Sequence, residues 1–104
     1  MALDIIKIVS PLKYSDALSV MRKQLFDACT SVASNFRAVC RARSERERYA
    51  KLCIVVEEAD ETVFWIEMLI EAEFVAKEII SNCEKEAEEI LKVMASFKKR
   101  LDSK

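Results

Sequence analysis

No glycine occurs in the 104 residues of this chain, no histidine either, and the lone proline is Pro11. Glycine supplies the positive-φ positions of tight hairpins and the close backbone approach of phosphate-cradling loops, so neither suits this sequence. With 52% hydrophobic and 34% charged residues, what remains is a set of amphipathic helices with brief joints. The missing histidine removes the commonest general base and the commonest metal ligand together. At this length the chain reads as one domain, residues 1–104.

Apolar spacing divides the chain into four helices. The first spans about Ala2 to Val9 and stops before Pro11, because the residue preceding a proline disfavours helical geometry. Ser15 has the character of an N-cap, with Asp16 in the first turn. From there Leu18, Met21, Leu25, Cys29, Val32, Phe36 and Val39 step by three or four to about Arg41. Ser44-Glu45-Arg46-Glu47 is a capping box that opens a third helix, with a predicted stripe of Tyr49, Leu52, Val56, Ala59, Val63, Ile66 and Ile70. Ile54, Val55, Phe64, Trp65, Met68 and Leu69 cannot share that seam, so the third helix has a second apolar face. A turn is expected near Ala72 to Phe74, since an unbroken helix beyond 50 residues would leave its stripe unpaired. The last helix follows Ala76, Ile79, Cys83, Ala87, Ile90, Met94, Phe97 and Leu101, with Lys98, Lys99 and Arg100 placed against its dipole. The predicted fold is all-α, an antiparallel up-down four-helix bundle with a short first helix.

Exposed apolar faces of this extent mark interfaces, so the chain is expected to self-associate through Phe64, Trp65, Met68 and Leu69. Formal net charge is only −1, but its distribution is uneven. Arg37, Arg41, Arg43, Arg46, Arg48 and Lys51 face two acids over their span, a local net of +4 around the joint between the second and third helices. Residues 57–89 carry twelve acids against Lys77 and Lys85, a net of −10. Phosphate backbones bind clustered bases through counterion release, so the basic group is a candidate nucleic-acid surface. The competing reading is a solvated helix end with local Glu–Arg pairs.

Other constellations point away from chemistry. The acid-rich Glu57-Glu58-Ala59-Asp60-Glu61 lacks the histidines that di-iron bundles pair with their glutamates, which leaves a solvated face or an all-oxygen Mg²⁺ or Ca²⁺ site. No metal and no cofactor is expected. Thr30, Ser31 and Ser34 have no base to activate them, and catalysis is not expected; a small carboxylate-dependent enzyme is the distant alternative. Asn35 or Ser31 is expected to meet Thr62 or Glu58 across the bundle, a polar contact that would fix helix register. Cys29, Cys40, Cys53 and Cys83 contain no CxxC pair and sit among apolar helix positions as small buried hydrophobes; a disulfide or metal cluster is the alternative. Four reduced thiols suit the cytoplasm, and no apolar run is long enough to cross a membrane.

Glu58-Ala59-Asp60-Glu61-Thr62-Val63-Phe64-Trp65 resembles a stretch of the bacterial 23S rRNA intervening-sequence proteins, small four-helix bundles. Gln24-Leu25-Phe26, Thr30 to Arg37, Arg41-Ala42-Arg43-Ser44, Tyr49 and Lys51 match that family at preserved spacing, over about residues 18 to 100. The resemblance implies a ring-forming homo-oligomer, typically a pentamer, with no established enzyme activity and a connection to RNA or ribonucleoprotein. A related branch, the nucleic-acid-binding accessory proteins of diversity-generating retroelements, is the alternative; its members are basic, unlike this near-neutral chain. Ala33 and Ser34 stand where the family often has glycine or proline, Ala38 where it has glutamate, and the glycine that commonly opens the last helix is missing.

Overall fold

The computed structural model describes residues 1–103 and contains helices α1 (Ala2–Val9), α2 (Asp16–Cys40), α3 (Glu45–Glu71) and α4 (Lys77–Asp102). Lys104, the last residue of the expected domain, lies outside the described residues. Serine caps account for the starts of α2 and α3. Ser15 Oγ accepts the Leu18 N–H at 3.1 Å and opens α2, and Ser44 Oγ accepts the Glu47 N–H at 3.1 Å and opens α3. The capping box closes differently from the ideal: Glu47 Oε2 accepts from the Arg43 N–H at 3.3 Å, one residue upstream of the reciprocal donor.

The expected turn falls at residues 72–74, and it is built without glycine. Glu73 takes φ 64°, the left-handed region. The Phe74 N–H bonds to the Leu69 carbonyl and the Glu73 N–H to the Ile70 carbonyl, both at 3.0 Å. These are the paired hydrogen bonds of a Schellman motif, which satisfies carbonyls that the end of α3 would otherwise leave orphaned. Phe74 folds back against the core beside Leu69 and supplies the apolar contact that usually accompanies the motif.

The buried seam of α3 differs from the predicted stripe. It runs Leu52, Val55, Ala59, Thr62, Ile66 and Leu69, alternating steps of three and four. Val56, Val63 and Ile70 form only a half-buried flank. Thr62 holds a core position because its hydroxyl donates to the Glu58 carbonyl of its own helix at 2.8 Å, leaving its methyl for packing. In α4 the core register begins at Ile80 rather than Ile79, which is 62% exposed, and Ala76 is exposed as well. Cys29 and Cys83 are buried as expected, whereas Cys40 is exposed at the end of α2 and Cys53 is half-buried; none of the four is paired. Burial pushes the Cys29 thiol up to about 11 and raises Cys83 as well, so both remain protonated packing groups.

Consecutive long helices pack antiparallel, and α3 lies between α2 and α4, which make no close backbone approach to each other. Helix α1 packs against both α2 and α4, so it takes the fourth position of the bundle. At eight residues it is about 12 Å long, set against a molecule whose long axis is 47 Å. The main core therefore lies where α1 is present, with Ile5 and Val9 against Leu25, Cys29, Leu69 and Ile80. Farther along, Val32, Val55 and Ala59 form a second, thinner core edged by Val39, Ile90, Leu91 and Met94. Among the described residues, no fourth helix lies over that stretch.

Candidate nucleic-acid interface

One end of the molecule is basic because of how the chain reverses. The short joint after Cys40 places Arg37 and Arg41 of α2, Arg43 of the joint, and Arg46, Arg48 and Lys51 of α3 at one end. Arg37, Arg41, Arg43 and Arg46 are exposed; Arg48 and Lys51 are half-buried, and Arg48 pairs with Glu45. The local Glu–Arg pairing anticipated as the bland alternative thus occupies one guanidinium.

A further group joins them, one that linear reading assigned only to the α4 dipole. Because α4 runs antiparallel to α3, its C-terminal turns return to the start of α3. Tyr49 Oη donates to Asp102, Lys98 Nζ donates to Asp102 at 3.3 Å, and the same ammonium stands 5.8 Å from the Tyr49 ring centre. The Tyr49 hydrogen bond, helped by Lys98, holds the Asp102 carboxyl below its ordinary range. This pin brings Lys98, Lys99 and Arg100 to the basic end, so residues 92–103 add four bases against Asp102 alone. Glu45, Arg46, Tyr49 and Leu101 line a shallow depression of about 530 Å³ between the two helices. Only the topology reveals this convergence, since the two basic segments are some fifty residues apart in the chain.

The expected subunit-contact residues are divided by the structure. Phe64 projects from the centre of the outward face of α3, 50% exposed, and its ring meets Trp65 edge-on with centroids 4.9 Å apart. Trp65 and Met68 are half-buried on the same flank. Leu69 is a correction: it is fully buried within the subunit, because the α3 seam passes through it, and it offers nothing to a neighbour. The expected polar contact across the bundle is also corrected. Asn35 Nδ2 donates to the Ser31 carbonyl at 2.9 Å and to Ser31 Oγ at 3.1 Å, both within α2, and Thr62 bonds to Glu58 within α3. Each polar group is satisfied by its own helix, which removes the demand for a partner across the interface.

The acids of residues 57–61 form a mostly solvated face: Glu57, Asp60 and Glu61 are exposed, and Glu58 is half-buried. Desolvation, followed by the Glu61 charge, raises the Glu58 carboxyl above its ordinary value. A tighter grouping has no local signal in the chain: carboxylate oxygens of Glu67, Glu84 and Glu88 lie within 4.8 Å of one another across the α3–α4 seam. No helix among the described residues is long and apolar enough to cross a membrane.

Antiparallel helices packed along apolar seams define a small all-α bundle. The sequence profile of the 23S rRNA-intervening sequence proteins matches residues 1–96, and the chain belongs to that family. The fold is similar to that of a solved protein of unknown function from the S23 ribosomal protein family of Bacteroides thetaiotaomicron VPI-5482. The two chains are 30% identical with a TM-score of 0.81, over 94% of this chain and 91% of that one. No curated protein matches the chain.

Proposed function

We propose that this chain is a non-enzymatic, self-associating bundle, a pentamer on the family resemblance, that presents its basic end to the phosphate backbone of RNA. The observation that carries the reading is the convergence of bases from three elements, the end of α2, the start of α3 and the end of α4, on one pole of the molecule. Most of these bases are solvated and ready to replace condensed counterions, while the acids lie along the rest of the rod. Self-association is supported by Phe64 and Trp65 on the outward face of α3, and it would multiply the basic pole by the number of subunits. The names of the family and of the similar structure's family support RNA or a ribonucleoprotein as the partner class. The net charge of −1 argues against the basic accessory proteins of retroelements as the nearer model.

The test is fluorescence anisotropy with a labelled single-stranded RNA at increasing salt. About four phosphate contacts give a log–log slope near −2.8, so affinity should fall ~50-fold between 50 and 200 mM salt. Replacing Arg41, Arg43 and Arg46 by glutamine should flatten that slope. Absence of binding at the lowest salt would refute the proposal.

A further inference from the structure

The basic pole contains a feature that phosphate binding leaves unused, the depression between the start of α3 and the end of α4. Of its lining residues, Tyr49 and Leu101 are half-buried and largely apolar, while Glu45 and Arg46 are exposed. Its volume of about 530 Å³ is that of a cleft for a small organic group.

The Tyr49 side chain is held in place. Its hydroxyl donates to Asp102 across the α3–α4 seam, and the Lys98 ammonium stands 5.8 Å from the ring centre. Lys98 lies one turn inward from Asp102 on α4, whereas Glu45 and Arg46 lie one turn nearer the pole than Tyr49 on α3. The cation thus approaches from the rod side, and the depression adjoins the ring on the pole side. A ring fixed in advance gives up little rotamer freedom when a flat group stacks on it.

The charges select the kind of flat group. Glu45 and the neighbouring Asp102 make the depression a poor place for a phosphate. Their charges are met by Arg48 and Lys98, and a carboxylate oxygen of Glu45 left free suits the N–H groups on the edge of a base. Outside the depression, the exposed Arg43, Lys99 and Arg100 join Arg46 as partners for phosphates. A nucleotide combines the two demands, a neutral planar base and an anionic backbone. In a duplex the base faces are covered by their neighbours, so only an unpaired base can present one.

We propose that the depression beside Tyr49 takes one unpaired base of single-stranded RNA, stacked on the Tyr49 ring, while Arg43, Arg46 and Lys99 meet the adjoining phosphates. This rests on the RNA reading above and specifies its substrate class, unpaired strand over duplex. Stacking adds affinity without choosing a sequence, since every base has a π-face.

Fluorescence anisotropy with single-stranded RNA, and with a duplex of the same length, compares wild type with two variants. Tyr49→Leu removes the ring and keeps apolar bulk. Its affinity for the single strand should fall about fivefold or more. The salt slope should stay unchanged, because no phosphate contact is lost. Duplex binding should not respond. Tyr49→Phe restores the ring and should recover most of the affinity. Unchanged single-strand affinity in Tyr49→Leu, or an equal loss on the duplex, would overturn the base site and leave phosphate binding standing. A loss in Tyr49→Phe as large as in Tyr49→Leu would assign the effect to the Asp102 pin and overturn stacking. No RNA bound by wild type at the lowest salt would overturn both this and the reading it rests on. Photo-cross-linking tests the contact with no substitution at all. A uridine-rich strand carrying 5-iodouridine, irradiated on the wild-type protein, should become joined to Tyr49, as read by mass spectrometry of the peptides. Cross-links confined to other residues would overturn the proposal.

Discussion

Replacing Glu73 with glycine should make this protein more stable, and the gain follows from the backbone. Glu73 sits at φ 64°, where its Cβ crowds the following carbonyl, at a cost of roughly 1–2 kcal/mol for an ordinary L-residue. Glycine has no such clash, but it loses more freedom on folding, about 0.4–1 kcal/mol. The two Schellman hydrogen bonds are made by main-chain atoms and survive the substitution. The negative charge past the end of α3 is also unfavourable against the helix dipole, by ~0.3 kcal/mol at an exposed site. The net expectation is a stabilisation of about 0.5–1 kcal/mol. For a domain of this size that corresponds to a rise in Tm of about 2–8 °C. Urea unfolding at fixed protein concentration measures it as a shift in midpoint with unchanged slope, since association would otherwise move the apparent stability. Glu73→Gln separates the two causes and should give only the few tenths due to charge. A Glu73→Gly protein no more stable than Glu73→Gln would refute the argument from the left-handed turn.

Further predictions concern the core register, two carboxylates and the α3–α4 pin. Ile80→Ala should cost about 2–5 kcal/mol by opening a cavity, whereas Ile79→Ala, one residue earlier and mostly exposed, should change stability by less than about 0.5 kcal/mol; equal effects in urea unfolding would contradict the observed α4 register. Glu58 has a raised folded-state pKa, so its ionisation opposes folding and its relative contribution is lost as pH rises through that pKa. Glu58→Gln should therefore be more stable than wild type at neutral pH, with the difference vanishing once Glu58 is protonated in both states. The Asp102 pKa is depressed, so its contribution is present at neutral pH and disappears as pH falls through the folded value. Tyr49→Phe should reduce that acid dependence and speed amide exchange in the last turn of α4, whereas unchanged exchange would show that the pin does not hold the helix end.

Much of the fold was legible because helix ends are local events. Ser15 and Ser44 cap their helices through side chains only three residues from their partners, and Pro11 forbids continuation of α1 past the following joint. The turn at residues 72–74 was placed by length rather than by any residue, since a glutamate in the left-handed region leaves no compositional mark. The α3 seam was misassigned because it admits Thr62, which an apolar pattern passes over. Its true alternation of three and four is visible only once that threonine is counted in. Leu69 was lost to the same error. Ser31 and Asn35 invited an expectation of contact between helices, yet short polar side chains satisfy themselves first on their own carbonyls. The basic pole was half legible. Its α2–α3 portion is contiguous in sequence, but Lys98, Lys99 and Arg100 arrive only through the antiparallel return of α4.

The account turns on whether a second copy covers the apolar surfaces that one subunit leaves in water. Size exclusion coupled to static light scattering, at micromolar concentration and moderate salt, reads this directly. A mass of several times the 11.9 kDa chain, five on the family resemblance, is the expected result. A homogeneous species of 11.9 kDa at every concentration would contradict it.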